Sequence, residues 1–448
     1  MHNESFFRRP HWTRRHFFQI AGAGVTASFL NRRYARAAEV TSAGAVTKNT
    51  AKNVIFILMA GAPSQIDTFD LKMLPGTTPS SFAPSTINGV AFPTGLMPNL
   101  AGLLPEMAIV RSMQSWALVH SQVQTWVQIG RNPFAALGNI APNIGSVVAI
   151  EKDKERLPSQ IFPAFVALNS GGGVTQGYFP AVYAPFKVVP GTAGVANTTN
   201  PEGQSRLDRR WSLLHSLDVP LRLDSPYGKP LEDYDNFYSA AKGLTYSPVV
   251  NQAFGFTAQD SARYGSSATG NACLVAYQVL KANQGTRYIQ ITSADGWDMH
   301  QNIYAAASLP AKAKLFDTAV GTLLKDLKSS GLLSETLVVM MGEFGRTIGP
   351  LTAAQGRDHY PLQFVVFAGG GIQGGRALGA TSADGSIVTD YGWSQNRYIR
   401  PEDIEATIYS AVGIDWTTIR RDDPFGRGFE YVPFASDGLY APVNELWG

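Results

Sequence analysis

Charge is scarce in this chain of 448 residues, of which only 16% are Asp, Glu, Lys or Arg. Cysteine is scarcer still: Cys273 stands alone, so no internal disulfide can form, and its setting in "NACLVAYQVL" reads as packing in a helix rather than reactivity. Several enzyme signatures are missing. There is no G-x-S-x-G elbow, no H-E-x-x-H and no paired C-x-x-C. The Gly triplets at 171–173 and 369–371 lack the following Lys-Ser/Thr of a phosphate-cradling loop. Tryptophan and tyrosine are scattered rather than aligned, which gives a base-stacking platform no support. No repeat or heptad array is visible.

Long apolar runs are also lacking. The stretch at about residues 17–30 is too short, and too rich in Gly and Ala, for a stable membrane span. Its surroundings read instead as a twin-arginine export signal. Arg14 and Arg15 precede Phe17 and Phe18, and Ala35-Arg36-Ala37 offers small residues for cleavage. The expected organisation is a signal over residues 1–37, a small polar linker over 38–52, and one domain over 53–448. The twin-arginine translocase is then the partner during export, and the periplasm or the exterior is the destination. Seven of the 37 basic residues and one of the 34 acidic ones lie in residues 1–37. The remaining 30 basic and 33 acidic residues give a net charge of −3, so net charge offers no support for nucleic-acid binding.

What is present is a recurring pattern. "KNVIFILMA" runs into "GAPSQIDTFD", "MAIVRSM" into "QSWALVHS", "RYIQITS" into "ADGWDMHQN", "TLVVMMG" into "EFGRT" and "QFVVFAGGG" into "IQGGRA". Apolar, β-branched strands followed by polar loops fit a parallel sheet covered on both faces. Between them, "AKAKLFDTAVGTLLKDLKSSG" places Leu315, Ala319, Leu323 and Leu327 four apart, with Phe316, Val320 and Leu324 beside them, as one stripe of an amphipathic helix. Alternation of helix and strand predicts a three-layer α/β/α sandwich with a mainly parallel sheet. Residues 150–250, rich in Gly, Pro and Asn, read as irregular excursions over that core.

Ligands of open α/β sheets gather beyond the carboxyl ends of the strands. Three of the four histidines beyond the leader, His120, His300 and His359, follow predicted strands, whereas His215 lies on a helix. Asp298 and His300 are two apart and share a side if extended. Asp358 adjoins His359, Asp67 and Asp70 follow the first strand, and Glu343 follows a later one. Imidazole with carboxylate suits Zn²⁺, Mn²⁺ or Fe²⁺. So many acids in a dry cleft repel unless a cation or arginines neutralise them. Arg346 and Arg357 could do so, or could clamp an oxyanion substrate.

At these residues the sequence resembles a known family. "VIFILMAGAPSQIDTFDLK", "GWDMHQN", "LLSETLVVMMGEFGRT" and "GRDHYPLQFVVFAGGGIQGGRALGAT" look like the bacterial domain-of-unknown-function 1501 family, usually twin-arginine exported and placed in the alkaline phosphatase and sulfatase superfamily. The resemblance runs over about residues 52–415. It implies an alkaline phosphatase-like fold with a metal site at one sheet edge and hydrolysis of phosphate or sulfate esters, of small molecules or glycans. The implied ligands are Asp67 or Asp70, Asp298, His300, Glu343, Asp358 and His359, around one or two divalent ions, Zn²⁺ or Mn²⁺. Superfamily hydrolases place a Ser, Thr or modified Cys at the start of a helix ending in Gly-Arg. "HSQVQTWVQIGR" has that outline, with His120 and Ser121 at its start. His120, Ser121, Arg346 and Arg357 are therefore the catalytic candidates. Phe344 stands where a His usually follows the acid, and Ser121 is one residue off the expected place. Both departures suit a non-catalytic exported protein that binds an acidic or glycan ligand on the same fold.

Overall fold

The computed structural model describes residues 44–171, 173–222 and 229–448. The leader expected over residues 1–37 lies outside the described residues. An eight-stranded sheet forms the centre of the molecule. Its strands in chain order are β1 (Asn53–Leu58), β2 (Met107–Gln114), β3 (Phe165–Leu168), β4 (Phe186–Val188), β5 (Tyr288–Thr292), β6 (Thr336–Met341), β7 (Leu362–Ala368) and β8 (Arg376–Leu378). They lie side by side in the order β8-β2-β7-β6-β1-β5-β3-β4.

The central strand β1 shows why the sheet is enclosed. All six of its residues are buried. Side chains alternate across a strand, so Ile55 and Ile57 enter one apolar core while Val54, Phe56 and Leu58 enter the other. In β6, Val338 and Met340 join the first core, and Leu337, Val339 and Met341 the second. Helices α1 (His120–Ile129), α2 (Ile144–Glu151) and α5 (Pro401–Ala411) cover the second face. Helices α3 (Ala268–Ala282) and α4 (Leu309–Ser329) cover the first. This is the three-layer α/β/α sandwich.

Helix α4 packs through Phe316, Val320, Leu323, Leu324 and Leu327, all inaccessible to solvent. Leu315, placed by its spacing on the same stripe, is 38% exposed. At about 100° per residue, the buried stripe is centred nearer Phe316 and Val320, and Leu315 falls at its edge. Cys273 is buried within α3, and burial pushes its thiol well above the usual range.

Two stretches differ from their sequence reading. Residues 150–250 supply β3 and β4, which extend the main sheet, together with long helices over Gln204–Arg222 and Lys229–Leu244. Strands of four and three residues are too short to show a period against Gly- and Pro-rich flanks. The second part of the segment read as a linker is docked. Asn49 and Ala51 donate backbone hydrogen bonds to Ser410 and Ala411 of α5.

Sheet polarity decides where the site lies. β1 pairs in parallel with β5 and β6, β3 with β4 and β5, and β8 with β2. β7 is antiparallel to both its neighbours, β2 and β6. Its beginning therefore lies at the rim where the parallel strands end, and the "IQGGRA" loop after it leaves from the opposite rim. His359 reaches the common rim by preceding a strand, not by following one as its sequence setting suggested.

At that rim the loop after β1 packs directly on the loop after β5. Gly61 adopts φ +106°, and a Cβ there would stand 2.5 Å from the Asp298 nitrogen and 2.7 Å from that of Trp297. Only glycine tolerates both the backbone angle and the approach. Gly61→Ala should cost about 1–3 kcal/mol, read as a lowered urea midpoint with an unchanged slope.

Candidate metal centre

Four side chains from three segments converge at this rim. His120 is the first residue of α1, Asp298 and His300 lie in the loop after β5, and His359 lies in a two-residue strand paired with Gly345–Arg346. One ligand atom from each falls within 4.8 Å of all the others.

The hydrogen bonds around the imidazoles orient their rings. His120 Nδ1 lies 2.6 Å from Glu343 Oε1, His300 Nδ1 lies 2.7 Å from Asp358 Oδ1, and His359 Nδ1 lies 2.8 Å from the carbonyl oxygen of Leu118. A carbonyl can only accept, so His359 Nδ1 carries the proton. Glu343 Oε1 also accepts from Gln124 Nε2 at 2.8 Å and from the Gly61 N–H at 3.0 Å, as an ionised carboxylate does. His359 Nε2 therefore presents a lone pair inward, and neutral His120 and His300 rings that donate through Nδ1 do the same. His300 Nε2 and His359 Nε2 stand only 3.1 Å apart, and Asp298 Oδ1 lies 3.1 Å from His300 Nε2 and 3.4 Å from His120 Nε2. Arg346 donates to both His300 Nε2 and Asp298 and so relieves part of the repulsion among these lone pairs and the carboxylate; a cation held among them would relieve the rest. The outward partners are the groups that orient metal-binding imidazoles and raise their basicity.

Electrostatics agree with this reading. Burial pushes the His359 imidazole below its ordinary value; the Leu118 hydrogen bond opposes that, and Arg346, His120 and His300 add to it. His359 thus stays neutral and able to ligate. Because its folded pKa is depressed, the stability linked to it is whole above the unfolded value of 6.5 and is lost as pH falls through the folded one. Burial tends to raise the Asp298 carboxyl, but the Arg346 hydrogen bond and charge, then His120 and His300, hold it below the usual range. His120 Nε2 and Glu343 Oε2 are buried without hydrogen-bond partners, as atoms prepared for a further ligand would be. The cluster opens to solvent on the side of Asp298, His300 and Asp358, whose side chains are 47%, 40% and 61% exposed.

Other expected site residues lie elsewhere. Asp67 is fully buried away from the cluster: Oδ1 accepts from Tyr304, and Oδ2 from Ser64 and from Arg357 Nε at 2.8 Å. Asp70 is held by Lys72, Arg111 and Thr381. Arg357 is fully buried between Asp67, Tyr304 and the carbonyls of Thr347 and Gly349. Arg346 adjoins the cluster, but all five of its N–H groups are occupied, by the carbonyls of Gly61, Ala62 and Arg357, by Asp298 and by His300 Nε2. Neither arginine is the open clamp that its sequence setting suggested; both brace loops. Glu343 and Asp358, expected as ligands, stand behind the imidazoles. His120, expected as a reactive group, stands among the ligand atoms. Ser121 is exposed on the first turn of α1. Phe344 is buried with its ring 4.7 Å from that of His120 and 4.5 Å from that of His359. Sequence reasoning missed Gln124 and Gly61. The i,i+4 spacing of Gln124 from His120 was the available signal for the first.

The fold and the cluster together define an α/β sandwich protein with a histidine-rich candidate metal site at the common strand rim. The chain belongs to the family described as protein of unknown function (DUF1501), which matches residues 51–430. Among solved structures it is similar to an alkaline phosphatase superfamily protein from Vibrio parahaemolyticus (12% identity, 83% of this chain and 69% of that one, TM-score 0.40). It is also similar to a sulfatase from Pseudoalteromonas sp. (13%, 88% and 72%, TM-score 0.38) and to alkaline phosphatase from the Antarctic bacterium TAB5 (17%, 73% and 95%, TM-score 0.35). These likenesses are too distant to carry chemistry across. No functionally curated protein matches. Among the described residues no helix is long and apolar enough to cross a membrane.

Zinc titrated against a chromogenic chelator should bind at one equivalent per chain. His359→Ala should weaken it by about 100-fold or more, and Glu343→Gln, which only loosens His120, by about 10–100-fold.

Proposed function

We propose that this protein is an exported, metal-dependent hydrolase of phosphate or sulfate esters. The observation that carries the reading is the inward convergence of three imidazole lone pairs and one carboxylate at a solvent-facing rim. His120, His300, His359 and Asp298 would hold the ion. A nitrogen-rich set of four favours Zn²⁺ or Mn²⁺ over Mg²⁺ or Ca²⁺. Phe344 on one side and the Arg346 guanidinium on another flank the set, which supports one ion rather than two.

A divalent ion held here supplies Lewis acidity, polarising an ester oxygen and making water a competent nucleophile near neutral pH. The protein's own groups do the rest. Glu343, Asp358 and the Leu118 carbonyl keep the imidazoles in one tautomer. Arg346 holds Asp298 ionised and ties the Gly61–Ala62 backbone to it. With His120 at the first position of α1, where a Ser, Thr or Cys nucleophile would stand, and His120 set among the ligand atoms, direct attack by water is the pathway that these residues support.

One observation favours a second reading, a non-catalytic binding protein. The guanidinium beside the cluster has no N–H left for an oxyanion, and Arg357 is buried. Turnover decides between the two. With Zn²⁺ or Mn²⁺ supplied, 4-nitrophenyl phosphate or sulfate should be hydrolysed without a pre-steady-state burst. Chelation or His300→Ala should lower kcat/KM by about 10³-fold or more, and Ser121→Ala should leave it within about threefold. Metal binding without turnover of either ester would establish the binding reading instead.

The paired arginines support export through the twin-arginine translocase. Replacing Arg14 and Arg15 together by lysine should retain the protein in the cytoplasm, as measured by cell fractionation.

A further inference from the structure

A cavity of about 590 Å³ lies away from the metal cluster, at the other end of α1. None of the four cluster residues lines it. Its walls include Trp116, Trp126, Arg131, Glu402, Arg421 and Arg427. The helix links the two places: His120 opens α1, and Trp126 follows six residues later, about 9 Å along the axis at 1.5 Å per residue. The turn that ends the helix, Gly130-Arg131, delivers Arg131 to the cavity wall. Gly130 adopts φ +61°, and a Cβ there would collide with the Glu405 carboxylate.

The tryptophans are fixed in place. The Trp116 indole N–H donates to Glu402 Oε2 at 3.0 Å, and that of Trp126 to Oε1 at 2.9 Å. Their rings are stacked with centroids 6.3 Å apart, and the Arg400 guanidinium covers Trp116 at 3.8 Å. Glu402 is 4% exposed, and burial lifts its carboxyl to about 6 against the pull of the two indole N–H groups. With both N–H groups occupied and one face of Trp116 taken by Arg400, the indoles offer the cavity their remaining apolar, electron-rich ring surface. Trp116 is 44% exposed even so, which leaves ring surface open to a ligand.

The polar lining sets three arginines against Glu402 and Glu430, the latter accepting from the Phe434 N–H and Ser436, and its guanidiniums are incompletely satisfied. Arg421 and Arg427 are exposed, and neither has a carboxylate partner among the described residues, although Asp422 beside them is taken by Arg420. Arg131 is 7% exposed; its Nη2 donates to the carbonyls of Glu430 and Tyr431, while its Nε is buried without a partner. The cavity thus combines fixed aromatic faces, a carboxylate with lone pairs to spare for hydroxyl donors, and three guanidiniums with free N–H groups. Sugar rings present an apolar C–H face that suits the negative face of an indole. Sulfate or carboxylate oxygens match the guanidinium fork.

We infer that this cavity is a subsite for an acidic oligosaccharide, bound by stacking on Trp116 and Trp126 and by charge on Arg421, Arg427 and Arg131. This rests on the hydrolase reading insofar as it names the substrate: an ester on an acidic glycan chain, gripped at the cavity and presented to the rim of the sheet. A neutral sugar would leave the guanidiniums unused. A nucleotide would satisfy stacking and charge but would leave the Glu402 carboxylate facing its phosphate.

The test is calorimetric titration of the full chain with four probes: a heparin-derived sulfated tetrasaccharide, tetragalacturonate, maltotetraose and uridine monophosphate. At least one acidic tetrasaccharide should bind at least tenfold more tightly than maltotetraose and the nucleotide, and should weaken with added salt. Arg421→Ala combined with Arg427→Ala, both at exposed positions, should lower that affinity at least tenfold and flatten the salt dependence. Trp126→Ala should lower it similarly, and His300→Ala should leave it within twofold. Absence of binding by both acidic tetrasaccharides, unchanged affinity in the double-arginine variant, or preference for the nucleotide would overturn the inference. The two readings fail separately. Saccharide binding at these residues without hydrolysis of any ester leaves the subsite standing and removes the hydrolase. Hydrolysis of 4-nitrophenyl esters without saccharide binding does the reverse.

Discussion

Three imidazoles turned with their protonated nitrogens outward and their lone pairs inward are the constraint around which the rim of this molecule is organised. Each outward bond comes from a different part of the chain: Glu343 after β6, Asp358 beside His359, and the Leu118 carbonyl before α1. The inward repulsion, with His300 and His359 nitrogens 3.1 Å apart and a carboxylate beside them, is what a bound cation relieves. Folding energy elsewhere sustains this concentration of like character, because the strands beneath it are buried on both faces.

A single antiparallel strand makes the convergence possible. In an all-parallel sheet, a residue just before a strand lies at the rim opposite the ligand site. β7 reverses direction, so His359 and the brace Asp358 arrive at the rim from the other side. The short pairing of His359 with Arg346 and of Tyr360 with Gly345 then fixes their height relative to the loop after β6.

The remaining acids and arginines of the rim are scaffolding. Asp67 with Arg357, and Asp298 with Arg346, are ion pairs in which the guanidinium is inaccessible to solvent. Removing one member of such a pair leaves a buried charge unpaired, which costs far more than the pair contributes. Their service is geometric: Arg346 ties together the loops after β1, β5 and β6, and Arg357 ties the loop after β1 to the segment before His359. The same division of labour recurs at the cavity on α1, where Glu402 pins two indoles through their N–H groups and leaves the ring faces to meet a ligand.

Apolar runs ending in polar loops, with helical stripes between them, determined the layered α/β architecture and the chemical character of its rim. Local periodicity records which faces must be buried, and β1, β6 and α4 show it clearly. The same reading brought His120, Asp298 and His300 to one edge, because residues after parallel strands lie there, and it placed His359 with them although His359 arrives by preceding an antiparallel strand. Only the tertiary structure decided which carboxylates face inward. Asp67 and Asp298 both follow strands and both pair with arginine, yet one is sealed in the interior and the other stands 47% exposed among imidazoles. That difference arises from hydrogen-bond partners distant along the chain, Arg346 at 48 positions from Asp298 against Tyr304 and Arg357 at 237 and 290 positions from Asp67. Sequence spacing carries no record of such contacts, nor of strand polarity at β7, because both are settled when the layers pack.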